Sequence, residues 1–211
     1  MSTPETSAEV QKHWDDRYAE KDQIWSGRVN AQLAAVAEEL TPGRALDLGC
    51  GEGGDSVWLA EHDWTVVAVD VSQTALQRAL GEARRRGVSE RITFEHHDLS
   101  ETFPDGTFDL VSAQYLHSFV RLERPAILRK AAAALVPGGL LVICDHGAPP
   151  PWAQHIPHDH PFPDAEDVLA ELGLPDAEWD RVRVERVDRA TIDPEGNPAV
   201  IQDNLMVLRR R

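Results

Sequence analysis

Apolar residues in this chain gather into short unbroken runs, and the stretches between them repeat every three to four positions. The runs are 44–50 (RALDLGC), 65–71 (TVVAVDV), 92–98, 108–115 (FDLVSAQY) and 140–145 (LLVICD). Continuous apolarity over so few residues, without strict alternation, predicts parallel strands covered on both faces. Between the runs, Ser72 stands where it can cap a helix whose stripe Leu76, Ala79, Leu80 and Ala83 keeps the helical period, and Gly87 ends it. Pro125 suits the first turn of another helix, with Ile127, Leu128, Ala131 and Leu135 on one face. Pro137-Gly138-Gly139 predicts a turn into the strand at Leu140. Strand and helix in alternation predict an α/β fold, an open doubly wound parallel sheet with right-handed crossovers.

The pattern changes near the end. Beyond the proline- and histidine-rich stretch 148–163, residues 164–172 predict one more helix. Residues 181–192 alternate through Val182 and Val184, and the phase slips before Val187, which predicts a bulge there. Turn formers fill 193–198, and 200–208 reads as a second strand. So short a link makes the two strands antiparallel neighbours. The expected sheet is seven-stranded, mostly parallel and closed by a C-terminal antiparallel hairpin. The expected division is one domain over 1–211, with a helical cap at 1–43, a core at 44–146, and a loop, helix and terminal hairpin at 147–211.

Composition narrows the chemistry. A length of 211 residues with 42% hydrophobic and 27% charged residues is ordinary for one globular domain. No run approaches the roughly 20 apolar residues of a spanning helix, so no membrane role is expected. The polar, acidic residues 1–10 lack an export leader, and two cysteines, Cys50 and Cys144, fall in no metal or disulfide pattern. A reducing cytoplasm is the expected location. The formal net charge of −15 repels phosphate backbones. Arg84-Arg85-Arg86 reads as a helix end and Arg209-Arg210-Arg211 as a solvated tail, so nucleic acid is not expected as a partner.

The chemistry concentrates in Asp47-Leu48-Gly49-Cys50-Gly51-Glu52-Gly53-Gly54, between a predicted strand and a predicted helix. Glycines there let backbone approach a ligand, and the helix N-terminus offers free N–H groups. Gly49, Gly51 and Gly54 also satisfy the dinucleotide pattern, so the loop alone leaves the ligand open. Asp70 ends the second run 19 residues after Gly51, placed to accept both hydroxyls of a ribose. Asp98 ends the third, where an acceptor meets the exocyclic amine of an adenine. Strand ends on one edge of such a sheet converge on a single crevice.

Taken in order, LDLGCGEGG, VVAVDVS, HHDL, FDLVSAQYLH and LVPGGLLVI resemble the successive motifs of class I S-adenosylmethionine-dependent methyltransferases, and the terminal hairpin matches that family's reversed last strand. More loosely, 13–18 (HWDDRY) and 24–28 (IWSGR) resemble the entrance segment of the thiopurine and tellurite-resistance branch. The resemblance implies a Rossmann-like fold, S-adenosyl-L-methionine as cofactor and a small-molecule methyl acceptor. It implies that Gly49, Cys50, Gly51 and Gly53 shape the loop around the methionine part and that Asp47 reaches its ammonium. Asp70 would hold the ribose, Val71 the adenine face, and Asp98 with Leu99 the adenine edge. Gln114 and Tyr115 would line the sulfonium side, while Trp25 and Arg28 close over the cofactor, the arginine suited to the methionine carboxylate. Core packing is the competing reading for Trp14 and Trp25. The segment Ser112-Ala113-Gln114-Tyr115 lacks the Asn/Asp-Pro-Pro-Tyr/Phe pattern of the amino-methylating nucleic-acid enzymes.

His117 and His146 follow the fourth and fifth runs and are the candidate catalytic bases. His155, His158, Asp159 and His160 cluster in the irregular stretch, but their spacing matches no zinc pattern and no metal is expected. Two other functions share these signals: a nicotinamide-dependent oxidoreductase with the same glycine loop, and a non-catalytic module that binds an adenosyl ligand to regulate a partner.

Overall fold

Strand order explains why the runs are apolar throughout. In the computed structural model, which describes residues 6–152 and 162–211, seven strands form one sheet: β1 (Arg44–Leu48), β2 (Thr65–Asp70), β3 (Ile92–His96), β4 (Phe108–Gln114), β5 (Leu135–His146), β6 (Trp179–Ile192) and β7 (Pro198–Arg210). Their spatial order is β3-β2-β1-β4-β5-β7-β6. Strands β1 to β5 run parallel, and β7 lies antiparallel between β5 and β6. The helices are α1 (Ser7–Ala19), α2 (Ala31–Ala37), α3 (Gly54–Glu61), α4 (Gln73–Arg85), α5 (Arg124–Ala133) and α6 (Ala165–Leu172).

Successive side chains of a strand leave opposite faces, and each face here has its own helices. Leu46, Leu48, Val111, Ala113, Leu141 and Ile143 pack with Ile127 and Leu128 of α5 and Val168 and Leu172 of α6. Ala45, Val66, Ala68, Leu110 and Val142 pack with Leu33 of α2, Val57 and Leu59 of α3, and Leu76 of α4. Burying a large aliphatic side chain on either face contributes about 1.5–3 kcal/mol, so a polar residue mid-strand would cost on both sides. The order reverses at the β1–β4 pair, and a crevice opens there beyond the carboxyl ends of the strands.

Local signals set the helix ends. Ser72 Oγ accepts the Ala75 N–H (3.1 Å), and Gly87, with φ of 74°, closes α4 while Val88 N–H returns to Ala83 O (2.9 Å). Asp164 caps α6 at Asp167 N–H.

Four expectations need correction. Pro137-Gly138-Gly139 is no turn ahead of β5 but an irregularity within it: Phe108 pairs with Leu135 and Leu110 with Leu140, and the residues between loop out, with Gly138 at φ 84°. Leu135 therefore opens β5 instead of closing α5, although it fills the same core. The bulge in β6 falls between Arg181 and Arg183, earlier than expected, and leaves Val182 exposed. Arg209 and Arg210 are no tail. They belong to β7, and Arg210 Nη1 donates to Ala133 O, a carbonyl the end of α5 leaves open, and to Leu135 O at the start of β5.

Candidate functional site

The loop after β1 is held by backbone that L-residues avoid. Gly49, Gly51 and Gly53 have φ of 68°, 53° and 84°, a region costing any side-chain-bearing residue roughly 1–2 kcal/mol. A Cβ on Gly49 would stand 2.9 Å from Leu116 Cδ1, and one on Gly53 2.8 Å from Ala79 Cβ. Gly51 N–H donates to Asp70 Oδ2 (2.9 Å) and Ser72 N–H to Asp70 Oδ1 (2.8 Å), so the acid ending β2 clamps both the loop and the start of α4. Beneath the loop, Asp47 is buried and accepts Ser56 Oγ (2.5 Å), while Cys50 is buried as a free thiol.

These carboxylates crowd one another. Burial raises Asp47 to about 7, with Asp55 and Asp70 adding repulsion, and burial also raises Asp55 and Asp70. The hydrogen bonds of Asp47, Asp55 and Asp70 run to a hydroxyl and to backbone N–H groups, not to cationic side chains. A left-handed glycine cradle over unneutralised carboxylates fits a ligand carrying ammonium and sulfonium charge.

The N-terminal segment straps this loop from above. Asp15 Oδ1 accepts Ser72 Oγ (2.6 Å) and Thr74 N–H (3.0 Å). Glu52, inside the glycine motif, accepts the Ile24 and Trp25 N–H groups and pairs with Arg78 (2.8 Å). Trp25 is 52% exposed, which sets aside core packing for it, and its Nε1–H donates to Tyr18 Oη (3.0 Å) beside Gly51. Trp14 is half-buried against Tyr18. Arg28 is exposed and borders a groove of about 380 Å³ along Gly54, Trp58, Glu61 and Arg86, a lining that includes none of the strand-end acids.

Asp98 and Leu99 follow β3 and are buried, and Val71 follows β2 half-buried with His96 Nε2 on its carbonyl (2.8 Å). Asp98 is already engaged: Oδ2 accepts Ser7 Oγ (2.6 Å) and Arg121 Nη2 (2.6 Å), and Oδ1 accepts Ser100 N–H (3.0 Å). An adenine amine would share this carboxylate with Arg121, using the remaining lone pairs.

Beyond β4 and β5 the site is made of side chains. Gln114 Nε2 donates to Ser112 Oγ (3.0 Å), and its buried Oε1 has no partner among the described residues. Tyr115 sits at φ 50°, strained for a non-glycine residue. Its hydroxyl donates to Asp203 Oδ2 (2.8 Å), and its ring stacks on His146 at 4.4 Å. Asp203, wholly buried, also accepts Arg189 Nε (2.6 Å). Burial pushes the Cys144 thiol up to about 12 and, with Asp203, raises the Tyr115 hydroxyl. On the other side Asp145 accepts Arg124 Nη2 on both oxygens (2.7 and 2.6 Å), and His117 Nε2 lies 3.1 Å away.

The sequence reading omits Tyr18, Glu52, Arg78, Arg121, Arg124, Asp145, Arg189 and Asp203. A signal existed for Asp145 and Asp203, each an acid inside an apolar strand, where a buried charge demands a partner. Among the described residues no group of three or more His, Cys, Asp or Glu side chains is arranged to hold a metal, and no helix is long and apolar enough to cross a membrane. The cluster His155, His158, Asp159 and His160 lies outside the described residues.

Known proteins resemble this chain in sequence and fold. Residues 45–139 match the family described as "Methyltransferase domain". Thiocyanate methyltransferase 1 of Brassica oleracea is 31% identical over 181 residues, 81% of this chain and 76% of that protein. The chain belongs to the S-adenosylmethionine-dependent methyltransferases. Membership brings S-adenosylmethionine as cofactor and sets aside the nicotinamide alternative, and the thiocyanate enzyme agrees loosely with the branch suggested by the entrance segment. The 27-O-demethylrifamycin SV methyltransferase of Amycolatopsis mediterranei is 33% identical over 136 residues, which are 63% of this methyltransferase but 49% of the relative, so this chain spans about half that length. The N-methyltransferase NodS of Bradyrhizobium japonicum, solved with S-adenosyl-L-homocysteine, superposes with a TM-score of 0.66 over 95% of this methyltransferase and 98% of its own chain at 17% identity, a likeness of fold.

Proposed function

We propose that this methyltransferase moves a methyl group from S-adenosylmethionine to a small-molecule N, O, S or chalcogen acceptor. The observation that carries the reading is the left-handed glycine cradle clamped by Asp70 above the uncompensated Asp47. Gly49, Cys50, Gly51 and Gly53 would hold the methionine part, Asp47 its ammonium, Asp70 the ribose, and Val71, Asp98 and Leu99 the adenine. Trp25 would close over the loop through Tyr18. When bound, the cofactor supplies an electrophilic methyl on a sulfonium, so the chain's own task is position and field.

Gln114 and Tyr115 would face the sulfonium side, the unpartnered Gln114 Oε1 offering a negative end of a dipole. Tyr115, His146 and Asp203 would wall the acceptor, and holding it at near-attack distance supplies roughly 7–11 kcal/mol of barrier lowering. The curated relatives quoted above carry thiocyanate and a demethylrifamycin in their names, small molecules of unlike chemistry. A net charge of −15 supports the same class over nucleic acid.

Calorimetry with S-adenosylhomocysteine should show one site, and Asp70→Ala should weaken it about 10–100-fold, the loss of one or two charge-assisted bonds. Unchanged affinity in that variant would remove Asp70 from the ribose. Labelled cofactor mixed with a small-metabolite extract should yield a labelled small product. Tight binding with no transfer to any extract would instead support the regulatory module.

A further inference from the structure

We propose that His117, rather than His146, receives the acceptor's proton, and that Asp145 and Arg124 are the positioning residues that fix its imidazole for the task. This deepens the methyltransferase reading and rests on it.

The two histidines stand on the same strand-end edge but in opposite circumstances. His117 Nε2 lies 3.1 Å from Asp145 Oδ1, and Asp145, 4% exposed, takes Arg124 Nη2 on both of its oxygens. Burial alone would raise the Asp145 carboxyl, but His117 and Arg124 outweigh it and hold the group below the usual carboxylate range. An ionised carboxylate accepts hydrogen bonds only, so the imidazole nitrogen facing it carries the hydrogen. That leaves the lone pair on Nδ1, on a side chain 45% exposed at the crevice. The carboxylate selects the tautomer, and the tautomer presents a base.

His146 lacks this support. Among the described residues its buried Nδ1 has no partner; it lies 3.9 Å from Asp203 Oδ1, beyond hydrogen-bond reach. Asp203 is committed to Arg189 and Tyr115. Burial, together with His117 and Arg189, opposes a proton on His146 more than Asp203 and Asp145 favour one. Its ring lies flat on Tyr115, so it serves as wall. Among the described residues, the charged or titratable groups around His117 are Asp145 and His146 from β5 and, through Asp145, Arg124 from α5. In the step itself the acceptor's X–H bond breaks and its electron pair stays on X. The proton joins the Nδ1 lone pair and later passes to solvent water.

Nitrogen-15 correlation spectra of the imidazoles, recorded without cofactor, test the geometry independently of activity. His117 should show the Nε2–H tautomer in the native protein and a mixture in Asp145→Asn, with no change in His146→Gln. An Nδ1–H or averaged His117 in the native protein would overturn the proposal. Single-turnover transfer to the metabolite extract, followed against pH, tests the role. His117→Gln should lose about 10²–10⁴-fold together with the acid limb of the profile, at unchanged S-adenosylhomocysteine affinity. His146→Gln should keep that limb, and His62→Gln, on the far end of α3, should keep the rate. A native rate in His117→Gln would sink the assignment. Failure of the native protein to bind S-adenosylhomocysteine would instead sink the methyltransferase reading beneath it.

Discussion

The two ends of one sheet edge are built by different means. On the cofactor side, over β1, β2 and β3, the groups that matter are mostly backbone: three left-handed glycines, and the Gly51 N–H aimed at an acid 19 positions away. On the acceptor side, over β4, β5 and β7, they are long side chains meeting across great separations, as where Tyr115 reaches Asp203, 88 residues on. Backbone geometry tolerates few residue types, so the first side is a contiguous motif. Side-chain pairs can be exchanged one pair at a time, so the second side is free to take many shapes on the same fold.

The comparison is strained most by removing a buried acid from the acceptor side. Asp203→Ala should cost about 3–5 kcal/mol in urea unfolding, because Arg189 and Tyr115 are left without their partner. Replacing both charges, as Asp203→Leu with Arg189→Met, should recover most of that loss while S-adenosylhomocysteine still binds. A double variant as unstable as the single one would mean that the site, not the ion pair, needs those residues.

Next in size is a blow to the cofactor side. Gly53→Val forces a β-branched residue to φ 84° and into Ala79, 2.8 Å away. Backbone strain and overpacking together should cost about 2–4 kcal/mol, with S-adenosylhomocysteine affinity falling at least tenfold. Full affinity by calorimetry would show that the loop adapts and that its glycines are not the cradle.

The same asymmetry decides what could be read from the residues. The apolar runs announced the strands because both faces are covered, and Ser72 and Gly87 announced the ends of α4 by local bonding. The glycine loop, Asp70 and Asp98 were legible as strand-end chemistry, though not that Asp98 already holds Arg121. Pro137-Gly138-Gly139 misled because a bulge and a turn ask for the same residues. Glu52 was hidden within a motif prized for its glycines, and Arg124 and Arg189 because pairing across the fold leaves no periodic trace. Arg28 was legible as a cofactor arginine only by residue type; it is exposed and borders a groove that begins at Gly54, the first residue of α3.

A smaller effect separates the sides by pH. Asp47 is raised from 3.8 to about 7, so the fold favours its protonated form. That contribution is complete below the unfolded value and is lost as pH rises through about 7. Relative to Asp47→Asn, the native protein should therefore lose Tm between pH 4 and 8, steadily as pH rises toward about 7. S-adenosylhomocysteine, whose ammonium would answer the carboxylate, should shrink the gap. A constant difference across that range would mean that Asp47 is ionised at little cost and that the crowding of acids under the loop has no role in binding.

The smallest change tests whether glycine on the cofactor side matters by position or merely by abundance. Gly81 lies inside α4, and a Cβ there would meet nothing within 4 Å. Alanine loses less backbone entropy than glycine in a helix interior and adds no clash, so Gly81→Ala should stabilise by about 0.5–1 kcal/mol. Cofactor affinity should stay as it was, since α4 meets the glycine loop through Ser72, Arg78 and Ala79, and a Cβ on Gly81 would touch none of them. Opposite signs for Gly53→Val and Gly81→Ala, at positions on the same side of the sheet edge, would establish that the cradle is a matter of a few left-handed residues. A loss of S-adenosylhomocysteine binding in Gly81→Ala would extend the site along α4 and undo the division between a backbone-built side and a side-chain-built one.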